Sequence, residues 1–317
     1  MKKIILMMMM AIALVTVGCS NDISSAEKNE EVASTVEKVE NNNIVVKDSN
    51  DREVVFTKKP EKVISLYGSF ADLWYEAGGD LVGICDSRRL PEKAMELPKV
   101  GKMSTPNIEA ILALEPDLMI MRSEYAKQEE LLSIFEQNNI NVIFVNYNSF
   151  EEMMKVYEMF CLINGNENIF EEKGISMRTK ISEITELKSE FTYLQLFATS
   201  KSVSAKDGNI TSEIINDFGG TNITTKYSIS SEESKQFSLE KVLELDPTFI
   251  FVQTMGSLEK TQERMEKDII TNPAWNSLTA VKEGRFIYLP NDLFVYKPNL
   301  RYVEAYEYID KIIETIR

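Results

Sequence analysis

Histidine is missing altogether from these 317 residues. Without imidazole no Ser-His-Asp constellation forms, and a site for bare zinc or manganese loses its usual ligand. Cysteine is scarce. Only Cys19, Cys85 and Cys161 occur, too few for a disulfide framework. Cys85 sits in LVGIC and Cys161 in MFCLI, so both read as small buried hydrophobes. Positive charge is in deficit: Lys and Arg number 35 against 50 Asp and Glu, for a formal charge of −15. No basic cluster offsets this, so the chain is ill suited to the phosphate neutralisation that nucleic-acid binding needs. No P-loop, no strand-borne Gly-x-Gly-x-x-Gly and no Gly-x-Ser-x-Gly is present. Among enzymes, these absences leave standing a hydrolase built on paired carboxylates.

What is there suits a soluble globular body: 44% hydrophobic and 27% charged residues, in a chain long enough for two domains. The first 19 residues, MKKIILMMMMAIALVTVGC, carry two lysines, an apolar run from Ile4 to Val15, then Thr16-Val17-Gly18-Cys19. This is the layout of a secretory signal, and the run is short for a membrane span. A cysteine directly after a small residue resembles a bacterial lipobox, with Thr16 where leucine is usual. That resemblance implies lipidation of Cys19 and a membrane anchor on the extracytoplasmic face. Residues 20–43, rich in Ser, Asn, Glu and Lys, read as a flexible tether.

From Asn43 onwards strands and helices alternate. NIVVKDSNDREVVF reads as two strands about a turn, and KVISLY, LVGIC, LMIM and NVIFVN read as buried strands with helical stretches between them. Phe150 to Glu190 has no strand signal. Alternation resumes with YLQLFAT, ITSEIINDFGG, FIFVQ and RFIYL, and an amphipathic helix closes the chain. The expected fold class is α/β, with parallel sheets covered on both faces. One sentence is written twice. NIEAILALEPDLMIM (107–121) and SLEKVLELDPTFIFV (238–252) share a Glu, a Leu-x-Leu, an acid-Pro pair and an apolar run in register. Each copy predicts a helix, a proline-terminated turn and a buried strand, in corresponding places of two halves.

With KKPEKVISL, VGKMSTPNIEAILALEPDLMI, FGGTNI and NPAWNSLTAVKEGRFIYLP, this repeat resembles the bacterial ABC-importer substrate-binding lipoproteins of the iron-siderophore, haem and cobalamin type. The resemblance runs from about Asn43 to the end. It implies two Rossmann-like lobes joined by one long linker helix, with a ligand cleft between them. The boundaries expected are a signal peptide at 1–19, a tether at 20–43, lobes at 44–165 and 191–317, and a linker at 166–190. It also implies that Glu109 and Glu240, the glutamates common to both copies, dock a monomeric protein on an ABC permease dimer with its ATPase subunits. Read from the residues alone, each is a first-turn glutamate favoured by a helix dipole.

In open α/β sheets ligands sit beyond the carboxyl ends of the strands. Loops there carry Tyr67, Arg88, Arg89, Arg122, Tyr125, Tyr147, Lys201, Lys206, Met255, Tyr296 and Lys297. Arginines among tyrosines suit an anionic, partly aromatic ligand. The ligand expected is a ferric siderophore; no cofactor and no metal bound by the protein itself is expected. Haem, held by Tyr or by Met103 or Met255, and a corrinoid are the alternatives within the same transporter class. A non-transport surface lipoprotein is the alternative outside it. Trp74 reads as core.

Overall fold

The structure is a computed structural model that describes residues 36–39, 43–87, 89–123, 125–226 and 239–317. Strands β1 (Val36–Val39), β2 (Asn43–Lys47) and β3 (Glu53–Phe56) form a small antiparallel sheet. The turn between β2 and β3 is nailed down by Asp48. Its carboxylate accepts from the backbone N–H of Asn50, Arg52 and Phe144, so the hairpin is tied to the next sheet. The first strand shortens the expected tether: Val36–Val39 pairs with Asn43–Val46 along a backbone ladder, as a valine-bounded segment beside an open edge can do.

The first lobe is built on β4 (Val63–Ser65), β5 (Gly83–Asp86), β6 (Lys99–Lys102), β7 (Thr105–Pro106), β8 (Leu118–Arg122) and β9 (Asn141–Val145), in the order β7-β6-β5-β4-β8-β9. All pairings are parallel except β6 with β7. The helices α1 (Gly68–Glu76), α2 (Ile108–Ala113), α3 (Ala126–Glu129) and α4 (Leu132–Gln137) connect these strands. The stretch QEELLSIFEQNN is divided between α3 and α4. Burial on both faces explains the unbroken apolar strands: β4 is buried throughout and β8 at every residue but its last.

Helix α5 (Phe150–Ile163), capped by the Ser149 hydroxyl on Glu152 N–H, leads to a second helical run. That run is α6 (Glu167–Ile169), a π-helical turn (Phe170–Gly174) and α7 (Ile175–Ile184). This helical run, Glu167 to Ile184, falls within the segment 166–190 expected as a linker. It stops at Ile184, where the Thr185 hydroxyl donates to Ile181 O and closes the last turn.

The second lobe carries β10 (Phe191–Thr199), β11 (Val203–Ala205), β12 (Gly220–Asn222), β13 (Phe249–Met255) and β14 (Phe286–Tyr288). Strand β10 pairs in parallel with β12 and β13, β13 with β14, and only β11 runs antiparallel. Around it lie α8 (Ile210–Asp217), α9 (Ile223–Lys226), α10 (Leu239–Leu245), α11 (Leu258–Met265), α12 (Thr279–Lys282), α13 (Asn291–Phe294) and the closing α14 (Tyr302–Ile313). Among the described residues no helix is long and apolar enough to cross a membrane.

The repeated sentence folds the same way twice, as α2 to β8 and α10 to β13. In both copies the acidic residue before proline takes a left-handed backbone, with φ of 49° at Glu115 and 37° at Asp246. It ends the helix, and its carboxylate then anchors a neighbouring segment. Glu115 pairs with Lys62 at 2.8 Å; Asp246 accepts from Thr279 N–H at 2.7 Å and its hydroxyl at 2.6 Å.

One apolar core runs through the first lobe and continues into the second along α14, Phe191, Tyr193, Phe249 and Phe251. The other face of the second sheet has its own core around Leu194, Leu196, Ile250, Val252 and Trp275. Trp74 is fully buried, as expected, with its indole N–H on Asp80 O. Cys85 and Cys161 are free thiols in the core, and burial pushes each up to about 12.

Gly219 follows α8 with φ at 92°, and a Cβ there would lie 2.5 Å from the carbonyl oxygen of Ser189. Gly219→Ala therefore meets left-handed strain and a backbone clash together. It should lower stability by roughly 2–4 kcal/mol in a urea titration, whereas Gly284→Ala, strained but in open space, should cost about 1 kcal/mol.

Candidate ligand-binding site

A cavity of about 440 Å³ opens at the carboxyl ends of β10 and β13. Asn148 contributes the wall from the first lobe, and the other lining residues come from the second. The floor is a network of neutral polar groups. Gln253 is 4% exposed; its amide N–H donates to the Thr211 hydroxyl (3.0 Å) and to Phe294 O, and its Oε1 accepts from Gln195 at 2.7 Å. Gln195 also donates to Asn209 Oδ1 and accepts from the Ser212 hydroxyl. Asn209 and Ser212 in turn form the capping box that starts α8. The floor is therefore cross-bonded and without charge, and the Asp207 carboxylate lines the cavity beside it. Around it stand Phe197, Phe294 and Tyr296, with Lys206 and the stem of Lys297. Lys206 Nζ lies 5.7 Å from the Phe197 ring centroid.

The expected residues divide into several groups. Tyr296, Lys297 and Lys206 line this cavity. Arg122, at the end of β8, is bracketed by aromatic rings, 5.1 Å from the Tyr67 centroid and 5.7 Å from that of Tyr125. Such stacking keeps a guanidinium partly desolvated. Arg89 reaches from the first lobe to the second: its NH1 donates to Asp292 O at 3.0 Å, and its guanidinium sits 5.2 Å from the Tyr296 centroid. It is thus held at the seam between the lobes. Lys201 lies in an exposed turn whose backbone is bound by Thr199 Oγ1, and Met255 is 43% exposed at the end of β13; neither lines the cavity. Arg88 and Cys19 lie outside the described residues.

Tyr147 is corrected by the structure. The sequence places it among ligand-facing rings, but it is wholly buried, its hydroxyl donating to Asn299 Oδ1 at 2.5 Å. Burial holds its phenol well above the ordinary tyrosine range. Lys297 Nζ lies 4.1 Å from the centroid of the same ring and donates to Tyr147 O. Asn299 completes the contact through its amide N–H to Ser69 O and Asp72. Tyr147 is thus the socket in the first lobe for the segment Lys297–Asn299. The floor residues Gln253, Thr211 and Asn209 were not singled out by sequence reading. Their signal was two glutamines, Gln195 and Gln253, at strand positions that apolar residues otherwise fill.

Glu109 and Glu240 are both exposed, each in the first turn of its helix. The Asn107 side chain caps the first of these by accepting from Ala110 N–H.

The family model described as "Periplasmic binding protein" matches residues 63–293. This chain belongs to that family. Among its relatives, the ABC transporter substrate-binding lipoprotein YvrC of Bacillus subtilis is 24% identical over 306 residues, covering 93% of this chain and 91% of that one. The solved structure of the iron uptake ABC transporter substrate-binding protein PiuA of Streptococcus pneumoniae superposes with a TM-score of 0.68 at 21% identity, covering 85% of this chain and 96% of that one. The vitamin B12 binding protein BtuF of Vibrio cholerae does so at 0.65 and 23% identity, covering 81% and 98%. This binding protein shares its two-lobed α/β fold with those structures.

Tyr147→Phe keeps the ring but leaves Asn299 Oδ1 without its donor in a dry site. It should cost about 1–3 kcal/mol of stability, measured by thermal or urea unfolding. Tyr296→Phe, at the cavity wall, should change stability by under about 0.5 kcal/mol.

Proposed function

We propose that this periplasmic binding protein is the extracytoplasmic substrate-binding component of an ABC importer, and that it captures a ferric chelate of the siderophore type. The observation that carries this reading is the cavity itself. It lies between the lobes, has no histidine to hold a bare metal, and sets Lys206 and aromatic rings about a neutral amide floor. Such a lining recognises a finished chelate by its anionic oxygens and flat faces, and leaves the metal to the chelator's own donors. Among the described residues no group of His, Cys, Asp and Glu is placed to hold a metal ion. Capture and release break no covalent bond, so the role needs no catalytic group. The names of the relatives support the transport reading, since YvrC is called an ABC substrate-binding lipoprotein and PiuA an iron uptake protein.

In this reading Cys19 anchors the chain to the membrane, and the exposed Glu109 and Glu240 meet basic side chains of a permease dimer. Two equivalent points on a pseudo-symmetric body suit a two-fold partner. The boundaries proposed are lobes at 44–165 and 191–317 about the linker.

Tryptophan fluorescence of residues 20–317, titrated with catecholate, hydroxamate and citrate chelates of Fe(III), tests the ligand. The expected outcome is saturable quenching by one of them, weakened about tenfold (~1.4 kcal/mol) in Lys206→Ala or Tyr296→Ala. A response to hemin or cobalamin alone would keep the fold and overturn the ligand. For docking, a Glu109→Ala, Glu240→Ala double variant should bind the chelate normally but lose most cellular uptake; full uptake would refute the assignment.

A further inference from the structure

Away from the Asn299 contact with Asp72, the lobes also meet through a second carboxylate. Glu213, on α8 of the second lobe, directs both carboxylate oxygens at the backbone N–H of Phe150, the first residue of α5, at 3.0 and 2.9 Å. That N–H is one of the four left without a partner at a helix start. The same turn begins two residues earlier at Asn148, which walls the cavity. What holds Phe150 therefore sets the position of the cavity's first-lobe wall.

The surroundings are acidic on both sides of the seam. Helix α5 contributes Glu151 and Glu152, and α8 contributes Asp217. Glu151 is matched by Arg178 of α7, at 3.2 and 2.7 Å. Glu152 accepts from Asn148 N–H at 2.6 Å, and Asp217 accepts from the Tyr306 hydroxyl of α14 at 2.5 Å. The Tyr302 hydroxyl, also on α14, is buried with no partner among the described residues. No cation is bonded to Glu213 among the described residues. Its two N–H···O contacts favour charge on Glu213; burial and three neighbouring carboxylates oppose it.

We propose that Glu213 is a positioning residue, a strut whose protonation state sets how firmly the lobes are joined beside the cavity. Neutral, it holds the first turn of α5 without setting like charges against each other across the seam. Charged, it is repelled by Asp217, Glu152 and Glu151, and gains by parting from Phe150 into water. Burial, the largest influence, together with those carboxylates raises its carboxyl to about 7, against the lowering effect of the Phe150 N–H. The sign follows from linkage. With the joined-state value above the ordinary 4.5, the joined state is favoured fully below that value, and the preference is lost as pH rises through about 7. This inference stands apart from the identity of the ligand.

The test needs no ligand. Hydrogen exchange of the Phe150 amide is followed by NMR on the full chain from pH 5.5 to 8, corrected for intrinsic exchange. Its protection should fall at least about tenfold over that range, the scale expected when one proton is lost on opening. In Glu213→Gln the protection should be level with pH, and in Asp217→Asn the fall should move to lower pH. The Glu213 side-chain carbon should itself titrate near neutrality. A level wild-type profile, or an unchanged slope in Glu213→Gln, would overturn the strut. Either result leaves the chelate titration untouched, so the two readings fail separately.

Discussion

The arrangement of this protein depends on a short piece of chain from the second lobe that is buried in the first. Asn299 is 1% exposed, has a left-handed backbone with φ at 53°, and spends its whole side chain on Tyr147, Ser69 and Asp72. Lys297, just before it, is 9% exposed with its ammonium on Tyr147. A buried amide or ammonium is costly unless every partner is in place. The contact is therefore nearly all-or-none, and it fixes where α14 begins. Because α14 carries the apolar core from one lobe into the other, the placement of the lobes about the cavity follows from a few hydrogen bonds around one tyrosine. A single helical linker alone would leave that placement loose.

Pseudo-symmetry is a second consequence of local chemistry. The acid before proline at Glu115 and Asp246 does two tasks in each copy. Proline at the next position disfavours continued helix, and the acidic residue turns the chain through a left-handed conformation, which a short aspartate tolerates at 246 and glutamate adopts at 115. Its carboxylate is then free to tie down a segment from elsewhere in the same lobe, Lys62 in one case and Thr279 in the other. The exposed glutamate in the first turn of each helix inherits an equivalent position. Two equivalent acidic points on one body are thus a by-product of folding the same helix-turn-strand unit twice.

The sequence made the sheets legible because they are parallel and buried on both faces, so β8, β9 and β13 read as unbroken apolar runs. Four short strands were not legible: β6, β7, β11 and β12 have two to four residues and owe their pairing to neighbours rather than to pattern. The linker was visible as a gap in strand signal, but its end at Ile184 is followed by no glycine or proline to mark it. At the cavity, the cations and Tyr296 could be found from loop positions beyond the strands. Tyr147 was misplaced for a physical reason. A tyrosine after a strand end presents its ring to a cleft or to core according to what packs there, and its partner, Asn299, lies 152 residues away in the chain. The amide floor escaped for the opposite reason: glutamines inside strands look like interruptions until Gln195 and Gln253 are seen bonded to each other.

Charge completes the picture. A body with formal charge −15 repels an anionic ligand at long range, yet Lys206 lines the cavity and Arg89 stacks on Tyr296 of its wall. The two facts are compatible because of distance. At physiological salt, surface charges are screened beyond about 8 Å, so an approaching anion meets little of the net field. Inside the cavity, low-dielectric walls and aromatic faces strengthen each cation's local effect. The aromatic rings also limit how far those side chains relax towards bulk water. In the proposed reading the acidic surface therefore serves solubility, and recognition is left to the side chains that line the cavity.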